Sequence, residues 1–303
     1  MEDSTIAKPP TFAATLNYAA CAAQAARLWE PYDKEKAGKY LDEAKKAYDA
    51  YEKNWYEAAP DEELNEESLY ALLYETKGSG SSCDTEVRDD AYWAACEIFV
   101  SAKRMGDSAA DDYYDKLSAY DISNNDKAFK VTTRLTGGEY KFGSLTSFNW
   151  ANTASAGSLT LYLNKDLLSS SEASQIESSI LRAADEYIYL EEEQGYGIPY
   201  RYDGPGYVNP DDVNEANVID GYERGSNSMV INNAIVMAYA YDQTRDSKYL
   251  NGVTTAMDYL LGTNPLSFSY ITGYGTYHVQ NPQHRYWAYE LDDTLPKAPD
   301  GVL

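Results

Sequence analysis

Two kinds of helical segment alternate along this chain, and this alternation restricts the fold more than any other feature. Residues 9–30 are rich in alanine, and small side chains let a helix approach its neighbours closely, as a crowded inner layer requires. Residues 34–56 instead place apolar side chains between Lys, Glu and Asp on one face, which is the pattern of a half-exposed outer helix. Because Pro31 separates them, the two segments are predicted to form a helical hairpin.

The same pairing recurs downstream. Inner helices are predicted at residues 84–105, 148–163 and 225–241, with outer helices from 112 onward, at 171–193 and at 247–261. A shorter acidic helix is predicted at residues 61–74. No sheet is predicted, because strict alternation of apolar and polar residues never lasts six positions. The pattern favours one all-α domain over residues 1–303, built as a toroid of helical hairpins.

Charge and aromatic content restrict the classes of ligand. The net charge of −24 comes from 49 acidic and 25 basic residues, which repels phosphate backbones and anionic lipids and excludes nucleic-acid and membrane-surface partners. The chain contains 30 tyrosines and 5 tryptophans. Flat rings with a polar edge stack on the C–H faces of sugars, so this composition is typical of carbohydrate-binding clefts, although most tyrosines are expected in the core or at its rim.

Cysteine usage and hydropathy give two further expectations. Cys21, Cys83 and Cys96 are an odd number without metal-ligand spacing and are interpreted as buried thiols. The chain has no apolar run of 18 residues, and its N-terminus is acidic. Neither a membrane span nor a signal peptide is therefore predicted within it.

An irregular stretch, residues 262–285, follows the last predicted helix. That helix is expected to stop at Gly262, since Asn264-Pro265 prevents its continuation. The residues beyond are rich in tyrosine and glycine and include both histidines of the chain, without a helical or strand period. Long irregular segments in compact proteins are usually functional or disordered. Because this one is too aromatic for disorder, it is predicted to be a binding loop.

Three strings in this region resemble the signature of glycoside hydrolase family 9: Tyr259-Leu-Leu-Gly-Thr-Asn-Pro265, Ser269-Tyr-Ile-Thr-Gly-Tyr-Gly275 and Asn281-Pro-Gln-His-Arg285. Members of that family are mostly cellulases that cut β-1,4-glucans with inversion on an (α/α) barrel of six helical hairpins. Residues 296–303 resemble the segment that follows in the subgroup with an N-terminal immunoglobulin-like module. The resemblance implies a β-glucan ligand, secretion of the full-length protein and no required cofactor, and some relatives bind structural calcium.

The resemblance also implies which residues contact substrate: Trp93, Trp150, Tyr274, Gln283, His284 and Arg285. Two positions depart from the family pattern. Gln283 replaces a histidine, although its amide can still donate to and accept from a sugar hydroxyl. Arg224 replaces a tryptophan of the sugar platform.

Each of these residues also has a structural interpretation. The two tryptophans can be core residues, the histidines can serve as hydrogen-bonded structural groups, and Arg285 can pair with a carboxylate. A His-centred metal site is not expected with only two histidines in the chain. Asp89 and Asp90 are adjacent and are expected to point in different directions at a solvated helix N-terminus, so they are not interpreted as a catalytic pair.

Both catalytic carboxylates of the resembled family are missing. Its base comes from an Asp-Ala-Gly-Asp motif and its acid from an Asn-Glu-Val/Ile-Ala segment, and neither string occurs here. They would precede Met1 and follow Leu303, which implies a partial barrel that lacks N-terminal hairpins and the C-terminal end. A fragment of an inverting cellulase, inactive alone, is the first interpretation, and a non-catalytic carbohydrate-binding or scaffold relative is the alternative.

Overall fold

The computed structural model describes residues 11–55, 87–120, 128–137, 140–150, 152–202, 225–282, 284 and 286–303. The chain divides into two compact units: the first is Met1–Val131 with Trp150–Ile176, and the second is Thr132–Asn149 with Glu177–Leu303. The helix predicted at residues 61–74, together with Cys83, Arg224, Gln283 and Arg285, lies outside the described residues.

The first unit is helical. Its elements are α1 (Phe12–Trp29), α2 (Lys34–Trp55), α3 (Arg88–Met105), α4 (Ala110–Ser118), α5 (Ala154–Leu163), a 3₁₀ turn (Lys165–Leu167) and the start of α6. α1 packs against α2 and α3, and α3 packs against α4 and α5. The predicted pairing of an alanine-rich helix with an amphipathic one is therefore confirmed for α1 and α2.

The alanines of α1 form its packed face. Thr11 caps the helix by accepting a hydrogen bond from the backbone N–H of Ala14 at 3.2 Å. The buried side chains are Phe12, Leu16, Ala19, Ala20, Ala22, Ala23 and Ala26. The opposite face is also largely apolar, with Tyr18 and Leu28 exposed. An apolar run therefore indicates this helix without indicating which side of it is buried.

Two cysteines show why it matters which side of a helix is buried. Cys96 on α3 is buried as predicted, and burial raises the pKa of its thiol well above the usual value. Cys21 is exposed instead. The prediction of a buried thiol is wrong for Cys21 because that residue lies on the open face of α1.

The second unit combines helices with a small sheet. It contains most of α6 (Ser170–Glu193), then α7 (Ser226–Thr244) and α8 (Ser247–Leu261), which pack against each other. At the start of α6, the Ser169 backbone N–H donates to Glu172 Oε2 at 2.8 Å, and the Glu172 N–H donates back to Ser169 Oγ at 3.3 Å. This reciprocal pair is a capping box, which the Ser-Ser-Ser-Glu sequence of residues 169–172 predicts.

A three-stranded antiparallel sheet contradicts the prediction that no sheet forms. β2 (Tyr140–Leu145) lies between β1 (Leu135–Gly137) and β3 (Arg201–Tyr202). β1 and β3 are too short to show alternation. At the end of β2 the side chains of Ser144 and Leu145 are both buried, so apolar and polar residues do not separate into an inner and an outer face.

The polar residues beside the sheet are buried because side chains from α6 and α7 satisfy them. Asn233 Nδ2 donates to the carbonyl oxygens of Leu145 at 3.0 Å and Pro199 at 2.8 Å, while its Oδ1 accepts from the Thr146 hydroxyl at 3.1 Å. The Tyr187 hydroxyl lies 2.5 Å from the Ser147 hydroxyl. Buried polar groups are stable only when they are paired in this way. Among the described helices, not one has the length and apolar character needed to cross a bilayer.

Candidate functional site

The N-terminus of α3 is buried in the first unit. Asp89 and Asp90 are fully buried, so the interpretation of a solvated helix N-terminus is wrong. Both carboxylates converge on Thr153: its backbone N–H donates to Asp89 Oδ2 at 2.7 Å, and its hydroxyl donates to Asp90 Oδ1 at 2.9 Å. Asn17 of α1 adds a hydrogen bond to Asp90 at 3.1 Å. These carboxylates therefore join the start of α3 to the segment that leads into α5.

Trp93 lies one turn further along α3. Its indole is half-buried, and Nε1 donates to Glu97 Oε1 at 3.4 Å. Glu97 is itself fully buried, and it accepts hydrogen bonds from Arg27 at 2.9 Å and from the Thr160 hydroxyl at 2.6 Å. Charge-assisted hydrogen bonds of this kind orient side chains strongly. The Trp93 ring is thus fixed by a carboxylate that also links α1 to α5.

Trp150 presents its ring at the surface. It lies in a turn before α5, and its side chain is 46% exposed. The helix that follows, α5, packs closely on α3: a Cβ added at Gly157 would lie 3.0 Å from the Cα of Trp93. An exposed indole is suitable for stacking against a sugar ring.

The predicted loop begins at Gly262 in the second unit, as expected. The backbone N–H of Thr263 donates to the Asp258 carbonyl at 2.8 Å, which closes the last turn of α8. Asn264 is buried, and its Nδ2 donates to the carbonyl oxygens of Tyr259 and Phe268, both at 2.8 Å. The asparagine of the Asn264-Pro265 pair therefore folds the chain back onto the end of α8.

The middle of the loop closes on itself. Ser269 N–H donates to the Tyr277 carbonyl at 2.9 Å, and Val279 N–H donates to the Ser269 carbonyl at 3.0 Å. Tyr274 lies at the tip with its side chain 55% exposed. The neighbouring glycines, Gly273 and Gly275, have φ values of +71° and +85°, a conformation that favours glycine.

Thr272 fastens the loop to the C-terminal segment. Its backbone N–H donates to the Val302 carbonyl at 2.8 Å, and its carbonyl accepts from the Gly301 N–H at 2.8 Å. Its hydroxyl donates to the Pro299 carbonyl at 2.6 Å and accepts from the Val302 N–H at 2.8 Å. We call this group of four hydrogen bonds the Thr272 clasp.

His284 has structural hydrogen bonds. Its Nδ1 accepts hydrogen bonds from the backbone N–H groups of Tyr286 and Trp287 at 3.1 and 3.2 Å. The ring also stacks on Trp287, with centroids 4.2 Å apart. Sequence reasoning missed Trp287, although an indole three positions after a histidine in an aromatic loop is a usable signal. Within the described ranges, no group of three or more His, Cys, Asp or Glu side chains could hold a metal ion.

Comparison with known proteins identifies the family. The family model described as Glycosyl hydrolase family 9 matches residues 3–303. The chain belongs to glycosyl hydrolase family 9. The predicted family is therefore confirmed over nearly the whole length, including both units.

Two curated relatives of this family 9 chain are enzymes named for cellulose or glucan. It is 35% identical to a cellulose 1,4-beta-cellobiosidase of Acetivibrio thermocellus, over 98% of this chain and 30% of that protein. It is 32% identical to endoglucanase C of Cellulomonas fimi, over 97% of this chain and 22% of that protein. The chain thus spans less than a third of the length of either relative.

Solved structures agree on the fold. A metagenome-derived family 9 endoglucanase superposes with a TM-score of 0.60 at 24% identity, over 91% of this chain and 41% of that chain. The structure of AaCel9A in complex with cellobiose-like isofagomine gives a TM-score of 0.60 at 24% identity, over 95% of this chain and 45% of that chain. The predicted fold class, a partial (α/α) six-hairpin barrel, is therefore confirmed.

Proposed function

We propose that this chain is part of a cellulase-type glycoside hydrolase that cuts β-1,4-glucosidic bonds with inversion, and that the chain alone binds glucan without cutting it. The observation that carries the proposal is the family match over residues 3–303 together with relatives named for cellulose and glucan hydrolysis. Secretion of the full-length protein and an adjoining immunoglobulin-like module belong to the same proposal.

The chemistry requires two carboxyl groups outside this chain. In inverting hydrolysis one acid protonates the leaving oxygen, and one carboxylate activates a water on the opposite face of the sugar. Asp89 and Asp90 cannot take these roles because they are fully buried and accept hydrogen bonds from Thr153. General acid or base participation contributes on the order of 10² to 10⁴ in rate per group, so without that pair turnover is not expected.

The contribution of this chain is binding. Trp150 and Tyr274 offer exposed rings that can stack on glucosyl units, and Trp93 is oriented by its hydrogen bond to Glu97. Gln283 and Arg285 are proposed to contact sugar hydroxyls on the basis of the family resemblance. Contacts that stabilise substrate and transition state equally give affinity without turnover.

Hydrolysis of carboxymethylcellulose tests this proposal. The purified 303-residue chain should release no reducing sugar above background, whereas the same chain with its flanking segments should release sugar whose anomeric configuration, followed by proton NMR, is inverted. Release by the chain alone would refute the assignment of the carboxylates, and Asp89→Asn, Asp90→Asn and Glu290→Gln variants would identify the group responsible. Failure of the extended protein to cut any β-glucan would refute the hydrolase itself.

A non-catalytic carbohydrate-binding relative is the second candidate. Gln283 and Arg224 favour it because they replace a histidine and a tryptophan of the family pattern. Under this alternative the extended protein binds cello-oligosaccharides and cuts none.

Structural calcium, which some relatives bind, has no cluster of acidic side chains to hold it among the described residues. Unchanged melting of the chain in EDTA would agree with that finding.

A further inference from the structure

The face of α1 that α2 and α3 leave open is a continuous apolar stripe, which we call the α1 stripe. Its members are uncharged: Ala14, Tyr18, Cys21, Ala25 and Leu28. Tyr18 and Leu28 are 53% and 61% exposed, and Cys21 is exposed between them. A helix that is apolar on all sides is normally buried on all sides. Among the described elements α1 packs mainly on α2 and α3, so the stripe is open to a partner.

The spacing of the α1 stripe favours another helix as that partner. Its members recur at intervals of four, three, four and three positions, which is the repeat that forms the seam of a coiled coil. From Ala14 to Leu28 the stripe is about 21 Å long, at 1.5 Å per residue. The small side chains of Ala14, Cys21 and Ala25 let a second helix approach closely.

The order of large and small side chains makes the α1 stripe complementary to itself. Cys21 is its central member, so a twofold axis that relates two antiparallel copies of α1 there places Cys21 against Cys21 of the second copy. Tyr18 then lies against Ala25 of the second copy, and Leu28 lies against Ala14 of the second copy. Large side chains that face small ones allow two surfaces to interdigitate. A twofold interface requires self-complementarity of this kind.

Charge also favours contact between two copies at this part of the surface. The chain has a net charge of −24, so two copies repel each other in most orientations. Residues 12–55, which form the α1–α2 hairpin, are neutral because they contain seven basic and seven acidic side chains. Beside the stripe, the Asn17 amide donates to Asp90 Oδ1 at 3.1 Å. The Gln24 amide donates to Glu97 Oε1 at 3.3 Å. Two copies that meet through α1 therefore avoid most of the repulsion.

We propose that the α1 stripe is a dimerisation surface, on which a second copy of this chain docks through an antiparallel α1–α1 contact. A two-helix contact of about 21 Å buries less than the roughly 1,200 Å² of a standard interface. The dimer is therefore weak and reversible. Its formation requires neither glucan nor hydrolysis, so it does not depend on the proposed function.

Disulfide trapping at Cys21 detects even a weak dimer of this geometry. Helices pack about 8–10 Å apart with Cα atoms about 2.3 Å from each axis, so facing Cα atoms come within reach of a disulfide. A Cys83→Ser variant retains only Cys21 and the buried Cys96 as thiols. Mild oxidation of this variant should give a covalent species of twice the 33.8 kDa monomer mass. Adding Cys21→Ser should abolish that species.

Charged substitutions in the same Cys83→Ser background test the register. Tyr18→Lys places an unpaired cation against Ala25 of the second copy and should reduce cross-linking by roughly tenfold or more. A mixture of Tyr18→Lys and Ala25→Glu chains should recover cross-linking, because the two new charges meet only in the mixed dimer. The matched control is Tyr189→Lys, which changes a tyrosine that is 57% exposed on the second unit. It should leave cross-linking unchanged.

Sedimentation velocity of the reduced 303-residue chain gives an independent measurement, and a reversible shift from monomer to dimer with rising concentration is expected. A chain that stays monomeric without a Cys21 cross-link, as expected if a segment outside these residues covers the stripe, would overturn the proposal. Aggregates without a defined size, or no recovery in the mixture, would also overturn it. Circular dichroism of each variant shows whether the fold is kept. Because no glucan is present, these outcomes are distinct from those of the hydrolysis assay.

Discussion

Replacing Arg27 by methionine should destabilise the first unit, because it removes the cationic partner of a buried carboxylate. Arg27 Nη1 lies 2.9 Å from Glu97 Oε2, and the two side chains are 20% and 0% exposed. Breaking a buried ion pair by removing one partner costs about 3–5 kcal/mol. Glu97 would keep hydrogen bonds from Gln24 and Thr160, so we expect the lower end of this range, about 3 kcal/mol.

Thermal unfolding followed by circular dichroism measures the loss. Each kcal/mol corresponds to about 2–4 °C in Tm for a domain of roughly 150–250 residues, so Arg27→Met should lower Tm by roughly 6–12 °C. The double variant Arg27→Met/Glu97→Met should recover much of the loss, since it leaves no uncompensated charge. If Arg27→Met costs less than about 1 kcal/mol, or if the single-variant losses are simply additive, the buried pair does not contribute as argued.

Two further perturbations address the second unit. Burial raises the pKa of Glu191 to about 8 from its ordinary 4.5. Between these two pH values the folded chain holds a proton that the unfolded chain has lost. The free energy of unfolding should therefore fall as pH rises through this interval. Glu191→Gln should flatten the dependence of Tm on pH, and its Tm should exceed that of wild type at high pH. Parallel plots of Tm against pH for the two proteins would contradict this. Thr272→Val removes both hydroxyl hydrogen bonds of the Thr272 clasp at similar side-chain size, so amide hydrogen exchange at residues 299–302 should accelerate; unchanged exchange would show that the backbone bonds suffice.

Local sequence signals predicted the helices well. The prediction of residues 247–261 for α8 matches the structure because Asp246 caps the start, by accepting from the Lys248 N–H, and Gly262 ends the last turn. The capping box at Ser169 and Glu172 likewise placed the start of α6 to within a residue. Caps act over three or four positions, so a linear pattern contains all that is needed to recognise them.

The features that were not predicted depend on hydrogen bonds between residues far apart in the sequence. Thr153 lies 64 positions from Asp89. Only the folded structure shows that the Thr153 N–H donates a hydrogen bond to this buried carboxylate. The sheet was missed for the same reason, since Asn233 satisfies the polar residues at the end of β2 from 86 to 88 positions away. For the candidate site, sequence resemblance named Trp150 and Tyr274, but the loop around Tyr274 depends on backbone hydrogen bonds, such as that from Ser269 N–H to the Tyr277 carbonyl, which no linear motif specifies.

The Thr272 clasp also has a consequence for how this region can evolve. Because Thr272 is hydrogen-bonded to Pro299, Gly301 and Val302, the segment between residues 272 and 299 begins and ends at one place. We call this segment the excursion. Insertions or deletions in between need not move α8 or redirect the C-terminal residues, and each doubling of a flexible loop costs only about 0.6 kcal/mol in closure entropy. Changes in the length and composition of this excursion can therefore alter its surface while the scaffold beneath it stays unchanged.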